Sequence, residues 1–214
     1  MAETVVIIDY GSGNLRSVEK AVERAAREAG LARHIVVTDA ADAIAKADRI
    51  ILPGVGAFSA CMEGLSGSTG VLEALEHAVL VEARPFLGIC VGMQLLATRG
   101  HEFGQSEGLG WIPGEITPLP HSPQYLSPHM GWNAVRLLDH HTLFEGIDGE
   151  AFYFAHSFEF TVENEAHRLA VTDHGVEVTA MVGRDNLIGA QFHPEKSQRA
   201  GLSFLGAFLS WSPT

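Results

Sequence analysis

The hydrophobic positions of the chain fall into two regimes. In the first half, short apolar runs at residues 5–8, 34–37, 49–52 and 86–89 alternate with stretches whose apolar residues recur at helical spacing. Those stretches cover residues 15–29, an alanine-rich segment at 40–47 and a third near 71–81. Strands apolar on both faces, separated by amphipathic helices, predict a parallel sheet covered on both sides. The run at 49–52 is expected to break at Pro53, which has no N–H for a ladder.

From Gly114 onward the period shortens. Segments rich in β-branched and aromatic residues occupy 133–137, 152–154, 158–162, 169–172, 176–182 and 187–192. Gly, Asp, Asn and His separate them, which predicts hairpins or a mixed extension of the sheet. A last amphipathic helix is expected near 198–209. No repeat, low-complexity tract or linker interrupts the pattern, and 214 residues suit one core. The expectation is a single α/β domain over residues 1–214. Its central sheet is open and mostly parallel, flanked by helices, with mixed or antiparallel strands in the C-terminal half.

Composition narrows the function. The chain is 46% hydrophobic and 19% charged, as globular proteins are, and 26 acids against 14 bases leave a net charge of −12. That charge disfavours nucleic acid binding through a general basic surface, and extended contact with anionic membranes. The opening MAETVVIIDYG carries no basic leader and reads as a first strand. No apolar stretch reaches the ~18 residues of a membrane span. Only Cys61 and Cys90 are present, too few for a disulfide framework, so a reducing cytoplasm is the expected compartment.

Open parallel sheets bind ligands beyond the carboxyl ends of their strands. Three loops follow strands there: YGSGN at 10–14, PGVGAF at 53–58 and GICVG at 88–92. The last has the spacing of a nucleophile elbow, with sulfur in place of oxygen. Its glycines let a strand turn straight into a helix, expected over residues 90–98, without side chains colliding. A thiol at a helix start is favoured as thiolate by the unpaired N–H groups and the dipole. The same five residues also suit a small buried cysteine in a tight turn, and alone they do not choose.

A thiolate nucleophile needs a base, and the base an orienting partner. Of eleven histidines, His140 and His141 read as solvated loop, and His34, His77, His101, His121, His167 and His174 lack catalytic context. No H-E-x-x-H pattern exists, and no metal site is expected. His193 differs. It follows the run at 187–192 and has Glu195 two residues on, so period-two geometry at a strand end would point both side chains the same way. Glu195 could then hold one ring nitrogen while the other faces Cys90, the logic of a Cys-His-Glu triad.

The elbow PFLGICVGMQLL at 85–96 and FHPE at 192–195 resemble the class I (triad) glutamine amidotransferases. PGVGAF at 53–58, PHMGWN at 128–133, YFAHSF at 153–158 and HPEKSQ at 193–198 narrow the resemblance to the glutaminase subunits of imidazole glycerol phosphate synthases. It runs from IDYGSGNLRSV at 8–18 to the last helix and implies a flavodoxin-like fold.

The resemblance implies that Cys90 attacks the side-chain amide of glutamine, His193 shuttles the proton to departing ammonia and Glu195 holds the imidazole. The oxyanion would be met by the N–H groups of Val91 and Val55, the latter in a glycine-flanked peptide that reorients on activation. Glutamine contacts carry over to Gly56, Gln94, Glu102, His156, Ser157 and Phe158, with Gln94 one helical turn from Cys90. The family usually has tyrosine where this chain has Phe158. No cofactor is implied. The implied partner is a cyclase subunit of (β/α)8-barrel type in a heterodimer, reached by ammonia through a shielded passage. Asn14, Tyr153 and Lys196 would border partner and passage, and Trp132 would lie in the contact surface. Other readings are an amidotransferase for another acceptor, which PHMGWN and HPEKSQ disfavour, and a thiol hydrolase or isomerase, which Gln94 and PGVGAF disfavour. A non-catalytic scaffold is disfavoured by the intact Cys90, His193 and Glu195.

Overall fold

The computed structural model describes residues 2–120, 127–138, 144 and 146–213. His121, His140 and His141, expected to be non-catalytic, lie outside these residues. In chain order the strands are β1 (Glu3–Ile8), β2 (Arg33–Thr38), β3 (Arg49–Gly54), β4 (Phe86–Cys90), β5 (Arg99–Gly100), β6 (Ser106–Glu107), β7 (Gly114–Pro118), β8 (His129–Leu137), β9 (Ala151–His156), β10 (Phe158–Val162), β11 (Arg168–Asp173), β12 (Glu177–Arg184) and β13 (Leu187–Ala190). The helices are α1 (Leu15–Glu28), α2 (Ala41–Ala45), α3 (Phe58–Gly67), α4 (Val71–Glu76), α5 (Val91–Gln94) and α6 (Gln198–Ser210).

A nine-stranded sheet runs in the order β2-β1-β3-β4-β13-β12-β11-β8-β9. The pairings from β2 through β13 are parallel, and those from β13 through β9 are antiparallel. This is the expected change of regime, placed one strand later than the sequence suggests, because β13 returns to pair with β4. The apolar runs of β1, β3 and β4 are buried on both faces, whereas that of β2, at the sheet edge, is only half-buried. A smaller sheet runs in the order β10-β7-β5-β6.

Three local expectations are corrected. β3 passes through Pro53 to Gly54, with Pro53 opposite Ile89. Its pairing with β1 has ended at Ile51, so the proline stands where one side of the ladder is already over. The helix expected over 90–98 is only α5, four residues long. It stops because the chain must turn to start β5, and Thr98 N–H is already bonded to Gly114 O at 2.9 Å. Helix α3 is not among the predicted elements, its sequence FSACMEGLSG being rich in glycine and serine.

Helix α6 closes the core. Phe204 packs edge-on to Phe192 at 5.3 Å between ring centroids, and Phe192 lies 4.1 Å from Phe152. The carbonyls at the end of α6 are taken by two arginines from the strands. Arg33 donates to Leu209 O at 2.8 Å and Arg49 to Phe208 O at 3.1 Å, while Glu3 pairs with both. The helix end is thereby satisfied and fixed against the first strands. The segment between β13 and α6, which carries His193, is therefore held at both ends.

Candidate active site

At the end of β4 the backbone of Cys90 takes φ 55°, ψ −111°, a conformation that L residues rarely adopt. Two glycines make the corner feasible. A Cβ on Gly92 would collide with the carbonyl oxygen of Leu52, and one on Gly88 with that of Gly92. The turn therefore packs backbone on backbone, and Cys90 is thrust into a cleft of about 340 Å³ beyond the ends of β3, β4 and β13.

Val55, Gly56, Val91, Gln94, Glu102, His156, Ser157, Phe158 and His193 line this cleft with Cys90, and Lys196 stands at its edge. Residues spread over more than a hundred positions are thus collected at one sheet end. Glu195 stands behind His193 rather than in the cleft.

His193 is buried. Its Nδ1 meets Glu195 Oε1 at 2.9 Å, and the ring shares the cleft wall with Cys90, which acts on its charge. A carboxylate can only accept, so Nδ1 carries the proton given to Glu195, and Nε2 is left for the thiol. Burial disfavours the imidazolium, but the hydrogen bonds and charges of Cys90 and Glu195 outweigh it and push the pKa up to about 9. The arrangement favours the charged ring. The backbone of His193 is fixed as well: its N–H donates to Tyr153 O at 2.9 Å, and Ser197 Oγ donates to His193 O at 2.6 Å. The His193–Glu195 contact forms through the tight turn Pro194–Lys196, not by alternation along a strand, because β13 has already ended at Ala190.

The loop after β3 is turned away from the sulfur. Val55 N–H donates to Ser12 Oγ at 3.2 Å, and Ser12 Oγ–H donates to Val55 O at 2.6 Å. The buried thiol of Cys61 also reaches that carbonyl at 3.4 Å. Gly56 follows with φ 94°. Val91 opens α5, where backbone N–H groups lack acceptors within the helix.

On the opposite wall, Phe158 O accepts from His156 Nδ1–H at 2.7 Å and from Gln94 Nε2 at 3.3 Å. His156 Nε2 accepts in turn from His129 Nδ1–H at 2.9 Å. Burial, with the charges of His129, His174 and His193, drives the His156 pKa down to about 3 despite the bond to Phe158, so its ring is neutral. Ser157 O accepts from Leu119 N–H at 2.9 Å, and one Glu102 oxygen accepts from Phe58 N–H at 2.8 Å, at the start of α3.

Outside the cleft, Trp132 is 48% exposed and meets Tyr153 edge-on at 6.1 Å, and the Lys196 ammonium lies 5.7 Å above the Tyr153 ring. The three form one surface cluster beside His193. Asn14 is separate from it, exposed at the head of α1. Among the described residues no group of three His, Cys, Asp or Glu is arranged to hold a metal ion, and no helix is long and apolar enough to cross a membrane. The sequence reading did not single out Ser12, Gln191, His129 or Ser197. For Gln191 a signal existed, since it is the one polar side chain of the run at 187–192 and stands two residues before His193.

The family model for glutamine amidotransferase class-I matches residues 6–209. The imidazole glycerol phosphate synthase subunit HisH of Rhodospirillum rubrum is 54% identical over 212 residues, covering 98% of this chain and 99% of that one. The subunit of the same name from Zymomonas mobilis is 55% identical over 215 residues, covering 99% and 98%. The chain belongs to the class I glutamine amidotransferases, in the HisH family. A crystal structure of a glutamine amidotransferase superposes on this amidotransferase with TM-score 0.69 at 17% identity, covering 95% of this chain and 98% of the other. A second, from Thermotoga maritima, gives 0.60 at 17% identity, covering 98% and 83%. At that identity the likeness is one of fold.

Proposed function

We propose that this amidotransferase hydrolyses glutamine through Cys90, His193 and Glu195 and hands the ammonia to a (β/α)8-barrel cyclase subunit that forms imidazole glycerol phosphate in histidine biosynthesis. The supporting observation is His193, buried in the wall of the same cleft as Cys90 and hydrogen-bonded through Nδ1 to Glu195.

The thiolate adds to the side-chain carbonyl carbon of glutamine. The C–N bond then breaks as His193 delivers its proton to the nitrogen, releasing ammonia and leaving a thioester on Cys90. Water, activated by the now neutral His193, hydrolyses the thioester to glutamate and restores the pair. The developing oxyanion takes its two donors from Val91 N–H and Val55 N–H. The second is engaged with Ser12, so the hole is completed only when the 53–56 peptide turns over, a step we assign to the partner subunit. Gln94, Gly56, His156, Ser157 and Phe158 shape the glutamine site. The Glu102 oxygen not taken by Phe58 N–H receives the substrate ammonium. The surface cluster of Trp132, Tyr153 and Lys196, with Asn14, faces the cyclase in a heterodimer and borders the ammonia passage.

One continuous apolar core joins β1 to α6, which supports a single working domain over residues 1–214. The same reading places the enzyme in the cytoplasm. The test is turnover of the reconstituted synthase with Cys90→Ser. Glutamine-dependent turnover collapses while turnover with added ammonium salt persists; equal loss of both would assign Cys90 to folding or assembly.

A further inference from the structure

Gln191 is completely buried, joined by its N–H to Ala180 O at 2.9 Å and followed two residues later by His193. Its side chain lies between Gln94 and the nucleophile: Gln191 Oε1 is 3.0 Å from Gln94 Nε2, and Gln191 Nε2 is 3.7 Å from Cys90 Sγ, within the range of a hydrogen bond to sulfur.

The direction of these bonds follows from one group that has no choice. Phe158 C=O can only accept, so the Gln94 amide must present its NH2 to it. The same NH2 faces Gln191, which must then present its oxygen to Gln94 and its own NH2 to the sulfur. Turning Gln191 over would set NH2 against NH2 at Gln94 and oxygen against sulfur at Cys90. The chain Phe158 C=O, Gln94, Gln191, Cys90 is therefore polarised along its whole length toward an N–H aimed at Sγ.

We propose that Gln191 is a thiolate-stabilising and positioning residue of the glutaminase centre, its side-chain amide holding negative charge on Cys90 Sγ while its oxygen fixes Gln94. An N–H donor to sulfur becomes charge-assisted only when the sulfur is ionised, so the bond favours the thiolate over the thiol. It does so from a fully buried side chain, where such a bond is strongest. The role is needed because α5, with four residues, offers little of the helix dipole that an elbow of this kind would otherwise supply. Because Gln94 lines the glutamine site, the same chain makes the sulfur responsive to what occupies the cleft. This inference rests on the reading of Cys90 as the glutaminase nucleophile.

The test is iodoacetamide labelling of Cys90 as a function of pH in the assembled complex, followed peptide by peptide so that Cys61 is scored separately. In Gln191→Leu the labelling rate at neutral pH falls about tenfold and the pH profile moves upward, as expected for loss of a hydrogen bond to a charged group. Gln191→Glu, which aims an oxygen at the sulfur, falls further. Glutamine-dependent kcat follows the same order, while ammonia-dependent turnover is unchanged. A merely structural role would slow both variants without displacing the profile or ordering them. If either variant fails to fold, the unmodified protein decides: the 15N side-chain amide resonance of Gln191 shifts with the same pH midpoint as Cys90 labelling. Profiles that superpose within twofold, or a resonance that ignores ionisation of Cys90, overturn the proposal. Failure of the underlying reading looks different, since Cys90→Ser would then retain glutamine turnover.

Discussion

Ser12 and Val55 are joined by two hydrogen bonds, one at each end of Val55: its N–H donates to Ser12 Oγ and its carbonyl accepts from the same hydroxyl. The hydroxyl comes from the turn after β1 and the peptide from the turn after β3, so neighbouring parallel strands bring them together. The N–H proposed as an oxyanion donor is thus occupied by a local partner that must let go first.

Removing that partner should ease the change. Ser12→Ala takes away both bonds, with a net worth of about 1–2 kcal/mol. If that difference enters the equilibrium of the loop, glutamate release by the lone subunit rises on the order of fivefold or more, and the stimulation by the partner shrinks to match. A coupled assay for glutamate without the cyclase reads this directly. Unchanged or lower basal release would mean that Ser12 does not restrain the loop.

The His193 ring gives a signed expectation for pH. Burial works against its charge, yet Cys90 and Glu195 carry its pKa above the ordinary histidine value to about 9. The stabilisation from the charged ring is fully present below about pH 6.5 and is lost as pH rises through about 9. The alkaline limb of kcat/KM should therefore lie near pH 9, where the proton needed by the leaving nitrogen is lost. In Glu195→Gln one of the raising partners is gone, so that limb moves to lower pH and kcat falls on the order of a hundredfold or more. A limb that stays in place would separate Glu195 from the charge on His193.

His156 titrates in the opposite sense. Burial, helped by neighbouring histidines, holds its pKa near 3 against the pull of Phe158 O, so the folded state keeps a neutral ring. The unfolded chain takes up the proton near pH 6.5, and stability is lost as pH falls from there toward about 3. The denaturation midpoint should fall across that window, with a shallower slope in His156→Gln. Equal slopes would mean that other groups control acid unfolding.

Much of this was legible in the chain, for physical reasons that can be named. The buried parallel strands are apolar on both faces, and GICVG carries its steric requirement in its spelling: Gly88 and Gly92 are where a Cβ would strike backbone. Their order in the sheet was less legible, because β13 pairs beside β4 across about half the chain. Helix α3 was hidden because two glycines and two serines in FSACMEGLSG weaken its helical signal although Phe58, Cys61, Met62 and Leu65 recur at helical spacing, and its first N–H is capped by Glu102 from a distant loop. Ser12 was out of reach for the same reason. Its role is a contact with Val55, 43 residues away, and nothing in YGSGN announces it.

The account depends most on Cys90 being the atom that bonds to glutamine, and a diazoketone analogue of glutamine, which alkylates such a nucleophile irreversibly, tests it directly. Mass spectrometry of the treated complex should find one equivalent on the peptide containing Cys90, none on Cys61, and complete loss of glutamine-dependent turnover with ammonia-dependent turnover intact. Inactivation accompanied by a label on any other residue, or an unlabelled Cys90 in an inactivated enzyme, would contradict it.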